Sequence, residues 1–342
     1  MAEVVSKSKD YRLLVAAPNT HYHFPLAMPR AIIADLEPQF SQYPANKFEF
    51  LLGAACSLDA HSNSFTVTLN KGGQKVVKYD RLITVIGSST KDGMPWKLGA
   101  SAGITLDSLH ELQDKIRRAQ TVAVAGGGLT GTETAGELGF EYASQSKKEV
   151  IFIYNDALPL PFDVLESVRK QAVTELTNLG VKMIPKTHVT DVTTEGANMI
   201  IKVRGSNEKM SSVLAQAYIP SLGLSPNTAF APASMRNANG YLKQMTTLQV
   251  EGHPNIFVVG DAGSLEPNRA AHTESQATQF IKNLSTILSG GQMLEYSMGR
   301  FLFIDITPAL STGERMMSNS SEKFGRGQLT SLQLFIYVVF RC

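Results

Sequence analysis

The stretch VAVAGGGLTGTETAGEL at 122–138 constrains this chain more than any other. A short β-branched run breaks into three consecutive glycines and then into helix-forming residues. Gly126, Gly128 and Gly131 satisfy G-x-G-x-x-G directly after a predicted strand, Thr121 to Ala125, and at the start of a helix predicted from about Leu129 to Tyr142. That is the context a dinucleotide-binding turn requires. Gly126 permits the tight turn, Gly128 lets backbone amides approach a pyrophosphate, and Gly131 lets helix and strand pack closely. Ala135 and Gly139 continue the small-residue line, and an anion would sit on the free N–H groups and positive dipole end of the helix. A glycine-rich turn that holds no ligand is the plain alternative.

In such sites an acidic residue at the end of the second strand holds the adenosine ribose, and a nearby Arg favours the 2′-phosphorylated dinucleotide. Here the second strand, EVIFIY, is followed by Asn155 and Asp156, so Asp156 is the nearby carboxylate and no Arg stands beside it. The lean is to NADH over NADPH. Glu133 and Glu137 lie one turn apart on the helix. Glu133 reads either as a helix carboxylate stabilised by the dipole or as a group that positions the nicotinamide or a proton donor, and it is the candidate catalytic residue.

At 342 residues and 43% hydrophobic, the chain can bury a sizeable core and has room for two domains. Its formal charge of +2, from 32 basic and 30 acidic residues, carries no electrostatic footprint of a nucleic-acid binder, and Lys115, Arg117 and Arg118 read as a solvated helix face. The two cysteines, Cys56 and Cys342, are far apart, which points to a reducing compartment and supplies no CxxC pair to relay electrons. Cys56, in an apolar strand, reads as core. No stretch approaches the roughly 18 to 20 apolar residues of a membrane span, LQLFIYVVF being too short. The N-terminus lacks a signal-peptide apolar region, and Ala2 stands where myristoylation needs glycine. A soluble cytoplasmic protein is expected.

Along the chain, Tyr11 to Ala17 reads as a strand ending at Pro18, followed by the loop NTHYHFPLAMPRAI. FEFLLGAACSLD, SFTVTL and KVVKYD alternate like antiparallel strands, with KGGQ as a turn. YDRLITVIGSS is a buried strand running into a glycine turn at Gly87. DSLHELQDKIRRA reads as a helix with Asp107 as N-cap, and Asp163 with Glu166 resembles a capping box for a helix that Gly180 stops. NIFVVGDAGSL is a buried strand into a second glycine turn, and TESQATQFIKNLSTILSGG an amphipathic helix with a double-glycine stop. A strand ending in Gly260-Asp261 lets backbone approach a cofactor and puts a carboxylate where it can accept hydrogen bonds from ribityl hydroxyls. Taken singly, an Asp there is a turn or cap residue.

The ordered set THYHFPLAMPRAI, FEFLLGAACSLD, YDRLITVIGSS, VAVAGGGLTGTETAGELGFEY, LGLSPNT, NIFVVGDAGSL and AAHTESQA resembles the two-dinucleotide-domain flavoprotein reductases, and within them the AMID-like, apoptosis-inducing-factor-like group akin to type II NADH dehydrogenases. The resemblance covers roughly Tyr11 to Gly291. It implies an α/β fold of two Rossmann-like domains, an NAD(P)H domain (119–239) inserted in a discontinuous FAD domain (1–118 and 240–291), and a divergent C-terminal segment (292–342). It also implies that Gly260 and Asp261 hold the ribityl and pyrophosphate region of FAD, Gly87 the turn beside it, Arg30 the isoalloxazine side, and the Ala54-Ala55 backbone the adenine. His272, Gln276 and Ala277 would start the helix beneath the flavin ring, helix-entry hydrogen bonding being the alternative for His272. With no cysteine pair, electrons would pass from nicotinamide to flavin and on to a diffusible acceptor such as a quinone or oxygen. Peripheral membrane contact and a mitochondrion-associated location are further implications, and no metal is expected.

The chain departs from the family in three places, the mildest being Val85-Ile86-Gly87 in place of the usual Ala-Thr-Gly. Members open with a strand, a G-x-G-x-x-G turn and a helix that cradle the FAD pyrophosphate, whereas YRLLVAAP already resembles the second strand, with Ala16 and Ala17 where a carboxylate often holds the ribose. A βαβ unit of about 30 residues is thus expected to be mostly missing. Past Met298 only FGRGQL resembles the family. An alternative function follows, a flavin-free NAD(P)H-binding remnant with a regulatory or cell-death-related interaction role.

Overall fold

The computed structural model describes residues 10–23, 33–36, 40–97, 99, 101–298 and 335–341, with single positions at 2, 5 and 7. In chain order the first half carries strands β1 (Tyr11–Ala17), β2 (His21–His23), β3 (Ile33–Asp35), β4 (Phe48–Asp59), β5 (Ser64–Leu69), β6 (Gln74–Lys78), β7 (Arg81–Val85) and β8 (Ser88–Thr90). Helix α1 (Ala102–Arg118) leads to β9 (Thr121–Ala125), α2 (Leu129–Leu138), β10 (Glu149–Ile153), α3 (Glu166–Asn178) and β11 (Lys182–Ile184). There follow β12 (Thr187–Glu195), β13 (Asn198–Gly205), β14 (Met210–Ala215), β15 (Ala217–Pro220) and β16 (Leu224–Pro226). The last elements are β17 (Gln249–Val250), β18 (His253–Val258), α4 (Ala270–Ser289) and β19 (Phe335–Arg341).

Strands from both flanks of the glycine fingerprint form one eight-stranded sheet in the order β17-β18-β7-β19-β1-β4-β5-β6. In β1, Leu13, Val15 and Ala17 pack on one face, with Ile83, Phe257, Phe280 and Leu284, while Leu14 and Ala16 pack on the other, with Leu82, Ile256 and Val258. A strand buried on both faces needs apolar residues throughout, which is why RLLVAA and RLITV read as continuous hydrophobic runs. Strands β1 and β4 are parallel, as are β18 and β7, but β19 runs antiparallel to both of its neighbours, β1 and β7.

The residues between form a second sheet, β11-β10-β9-β15, parallel throughout, with the fingerprint strand β9 inside it. One face is covered by α2 and α3 through Ala135, Leu138, Ala172 and Leu176. The other is covered by the antiparallel sheet β12-β13-β14 through Ile201, Val203 and Ala215. Leu112 and Ile116 of α1 pack into the core on the helical side. The two Rossmann-like units are joined by the antiparallel ribbon β8-β16, which extends beyond the ends of β7 and β15.

Several local expectations are corrected. Helix α1 starts at Ala102, capped by the Ser101 side chain accepting from the Ile104 amide, so Asp107 lies inside the helix rather than at its cap. Helix α3 starts at Glu166 with no side-chain cap, because the Asp163 carboxylate is turned to Arg269 instead. The fingerprint helix is α-helical only to Leu138 and closes in a π turn over Gly139–Ala143. Cys56 is exposed, since the β4–β5 register shifts between Ala55 and Ser57 and leaves it on a bulge.

Candidate functional site

The glycine turn leaves the carboxyl end of β9 with little space to spare on one side. A Cβ on Gly126, whose φ is +116°, would stand 2.3 Å from the Ser221 carbonyl oxygen. One on Gly131 would stand 1.9 Å from the Gly126 carbonyl oxygen, and one on Gly127 would stand 2.9 Å from the Tyr154 Cβ. Gly128 is different: it is exposed, its φ is −73°, and a Cβ there would meet nothing within 4 Å. Two glycines are therefore required by packing, while the third opens on solvent at the N-cap of α2. No side chain caps that helix end and no acidic residue lies in its first turn. Free amides and a positive dipole end suit a pyrophosphate. The Ser221 hydroxyl lies buried and without a partner beneath the same turn, a contributor that no motif marked.

Glu133 sits one turn into α2. Its side chain is reached by solvent but is surrounded by protein mass on most sides, which raises its carboxyl to about 7, and the nearby Glu137 adds to the rise. Asp156 lies beyond the end of β10, half-buried, with Tyr154 filling the strand end.

The second cluster gathers at the carboxyl end of β18. Gly260, φ +80°, donates its amide to Gln276 Oε1 at 2.9 Å, and a Cβ there would press on Thr273 Cγ2 at 2.8 Å. Gln276 is 2% exposed; it also accepts from Gln244 Nε2 and donates to Glu266 Oε2. Asp261 Oδ2 accepts from Ser88 Oγ at 2.9 Å and from Lys97 Nζ at 2.7 Å. Ser88 directly follows Gly87, so Gly87, Gly260, Asp261 and Gln276 are brought together. Ser88, inside the YDRLITVIGSS stretch but not singled out there, completes the cluster with Lys97 and Gln244, which no motif marked.

The remaining residues lie elsewhere or play local parts. His272 Nδ1 is 2.9 Å from the Pro267 carbonyl oxygen, the helix-entry hydrogen bond. Ala277 is half-buried against the core. Ala54 and Ala55 lie on the β4–β5 hairpin opposite Thr68 and Val67, Ala54 exposed and Ala55 against the core. Arg30 lies outside the described residues.

The model of the pyridine nucleotide-disulphide oxidoreductase family matches residues 5–277. The chain belongs to this family. It is 32% identical over 296 residues to oxidoreductase ptaL of Pestalotiopsis fici, covering 83% of this chain and 77% of that protein. It is 23% identical over 263 residues to ferroptosis suppressor protein 1 of Homo sapiens, covering 75% and 69%. Among solved structures, the sulfide:quinone oxidoreductase of Aquifex aeolicus superposes with a TM-score of 0.63 at 18% identity, covering 81% of this chain and 71% of that one. An engineered water-forming NADPH oxidase gives 0.58 at 19%, covering 83% and 64%. The AMID-like resemblance and the two-unit fold agree with these matches, and the chain is an FAD-dependent NAD(P)H oxidoreductase of that family. No helix among the described residues is long and apolar enough to cross a membrane.

The residues present fit a nicotinamide dinucleotide at the glycine turn, and they fit the ribityl end of FAD at Gly260 and Asp261. An ionised carboxylate has about four acceptor positions, so two protein donors leave Asp261 room for a ligand hydroxyl. The FAD phosphate end is not fitted in the same way, because β19 fills the place between β1 and β7.

Proposed function

We propose that the chain transfers reducing equivalents from NAD(P)H through FAD to a diffusible acceptor, a quinone or oxygen. The observation that carries this reading is the pair of strand-end sites joined by one ribbon: the β9 glycine turn on one side and the Gly260-Asp261-Gln276 cluster on the other. Bound FAD supplies a two-electron reservoir between donor and acceptor.

The chain's own residues do the rest. Gly126, Gly128 and Gly131 let the α2 amides close on the dinucleotide pyrophosphate. Glu133, half-protonated near neutrality, orients the nicotinamide and can hold a proton at its carboxyl. Asp261, fixed by Ser88 and Lys97, takes the ribityl hydroxyls, while Gly260 and Gly87 keep side chains clear of the cofactor. The donor site lies in 119–239, the flavin site in 1–118 and 240–291. Cys56 is an exposed free thiol and the sequence carries no CxxC pair to take electrons onward, which favours a diffusible acceptor.

A yellow protein whose flavin absorbance is bleached by NADH or NADPH without air, and restored by a soluble quinone or by oxygen, is the expected result. A colourless protein that still quenches NADH fluorescence would refute it. That outcome would favour the flavin-free remnant, for which the one specific observation is β19 lying between β1 and β7.

A further inference from the structure

The end of β10 departs from the usual ribose-holding arrangement. The residue that completes the strand is Tyr154, 2% exposed and packed beneath Gly127, so no carboxylate occupies that point. The chain continues through Asn155 to Asp156, and there the turn between β11 and β12 is laced to it by three backbone hydrogen bonds. The Tyr154 amide donates to the Ile184 carbonyl at 3.1 Å, the Thr187 amide to the Tyr154 carbonyl at 2.9 Å, and the Lys186 amide to the Asp156 carbonyl at 3.0 Å. Lys186 is exposed and holds a φ of +53°. The backbones of a lysine and an aspartate from separate turns are thereby fixed side by side at the carboxyl edge of the sheet, where the adenosine ribose of a dinucleotide lies.

Arg204, opposite His188 on the neighbouring strand, is paired with Glu208, whereas no carboxylate among the described residues pairs with Lys186. We propose that Lys186 reads the 2′-position of the adenosine ribose, with Asp156 beside it, so that the glycine-turn site accepts NADPH as well as NADH. A carboxylate alone selects a free 2′-hydroxyl, because it accepts a hydrogen bond from that group and repels a phosphate. An ammonium on the residue whose backbone is bonded to Asp156, not paired with that carboxylate, is free to offset the repulsion and give the phosphate a counter-charge. The absence of an adjacent arginine in the sequence therefore does not settle the donor, since the cation arrives from the turn after the following strand.

The proposal rests on the dinucleotide reading of the glycine turn, and the test separates the two. Calorimetric titrations of the full chain with adenosine 2′,5′-diphosphate, 5′-AMP and NADH are compared for the native protein, Lys186→Gln, Lys186→Glu and Asp156→Asn. The native chain is expected to bind the 2′,5′-diphosphate at least as tightly as 5′-AMP. Lys186→Glu should weaken the 2′,5′-diphosphate about tenfold with 5′-AMP unchanged, Lys186→Gln should fall between, and Asp156→Asn should shift preference toward the 2′-phosphate. Equal effects on both fragments, or none, would overturn the role of Lys186 and leave the dinucleotide site standing. Failure of the native chain to bind NADH or either fragment would overturn both.

Discussion

Alanine placed in turn at Gly131, Gly126 and Gly128 separates what packing requires of the glycine turn from what a ligand requires. At Gly131 the new Cβ would stand 1.9 Å from the Gly126 carbonyl oxygen, against an ordinary contact of 3.4 Å or more, so α2 must draw back from β9 by more than 1 Å. Overpacking of that kind costs about 1–3 kcal/mol. At Gly126 a 2.3 Å approach to the Ser221 carbonyl oxygen is joined by a φ of +116°, and the backbone strain adds about 1–3 kcal/mol. At Gly128 nothing lies within 4 Å and φ is −73°, so alanine should change stability by no more than about 0.5 kcal/mol. At roughly 2–4 °C per kcal/mol, Gly131→Ala and Gly126→Ala should melt several degrees below the native chain, and Gly128→Ala within about 2 °C of it. Binding runs in a different order. The Gly128 methyl group would stand in the space through which a pyrophosphate reaches the α2 amides, and loss of about 1.4 kcal/mol there weakens NADH binding tenfold. Thermal melts paired with NADH fluorescence titrations read both quantities. A Gly128→Ala protein that binds NADH like the native chain, or that melts together with Gly131→Ala, would refute the assignment of this turn to a dinucleotide.

Glu133 carries a carboxyl raised to about 7 from an ordinary 4.5, so the fold favours its protonated form. The stability it contributes is present below about pH 4.5 and is lost as pH rises through about 7. The melting temperature of the native chain should accordingly fall relative to Glu133→Gln across that window, and a constant offset would count against the shift. Lys97→Met leaves the partly buried Asp261 carboxylate with Ser88 as its remaining side-chain donor, and should cost about 1–3 kcal/mol by thermal melt, with Lys97→Arg recovering most of it; a methionine variant as stable as the native chain would show the pair to be incidental. Deletion of 335–342 removes the strand between β1 and β7 and leaves two unpaired edges. A lower melting temperature and larger species on size exclusion are expected, and an unchanged monodisperse protein would show that β19 contributes nothing to the sheet.

What local pattern encodes was legible in the sequence. The strand at 121–125, the strand at 11–17 and the hairpin at 48–69 follow from alternation and glycine turns, which act over a few residues. The helix starts were misread where two polar residues competed for the cap: Ser101 accepts from an amide three residues on and so outranks Asp107, and Asp163 is drawn to Arg269, distant in sequence. Cys56 sits in an apolar run, but a bulge is a property of the pairing between two strands and leaves no mark on one of them. The same limit hid Lys97 and Ser88. Their role is to fix Asp261, and an ion pair spanning 164 positions has no signature in the spacing of either partner.

The ribbon β8-β16 ties the glycine turn to the Asp261 cluster. Ser88, which holds Asp261, is opposite Pro226, and Leu224 is opposite Thr90. Ser221, three residues before Leu224, is the residue whose backbone and Cβ underlie Gly126 and Gly131. From the level of Ser88 to Ser221 is therefore five residues, at most about 17 Å of extended chain. The ribbon is held on both sides: Asn227 bonds to Ile86, Gly87 and Ser89, the Leu222 amide to Asp92, and the Lys91 amide to the Gly223 carbonyl. Trp96 Nε1 adds a bond to the Pro220 carbonyl. The glycine turn and the Asp261 cluster are thus linked through this short stretch of paired backbone, Ser88 lying within it and Ser221 three residues before it, and the Arg269–Asp163 ion pair adds a second tie between the units.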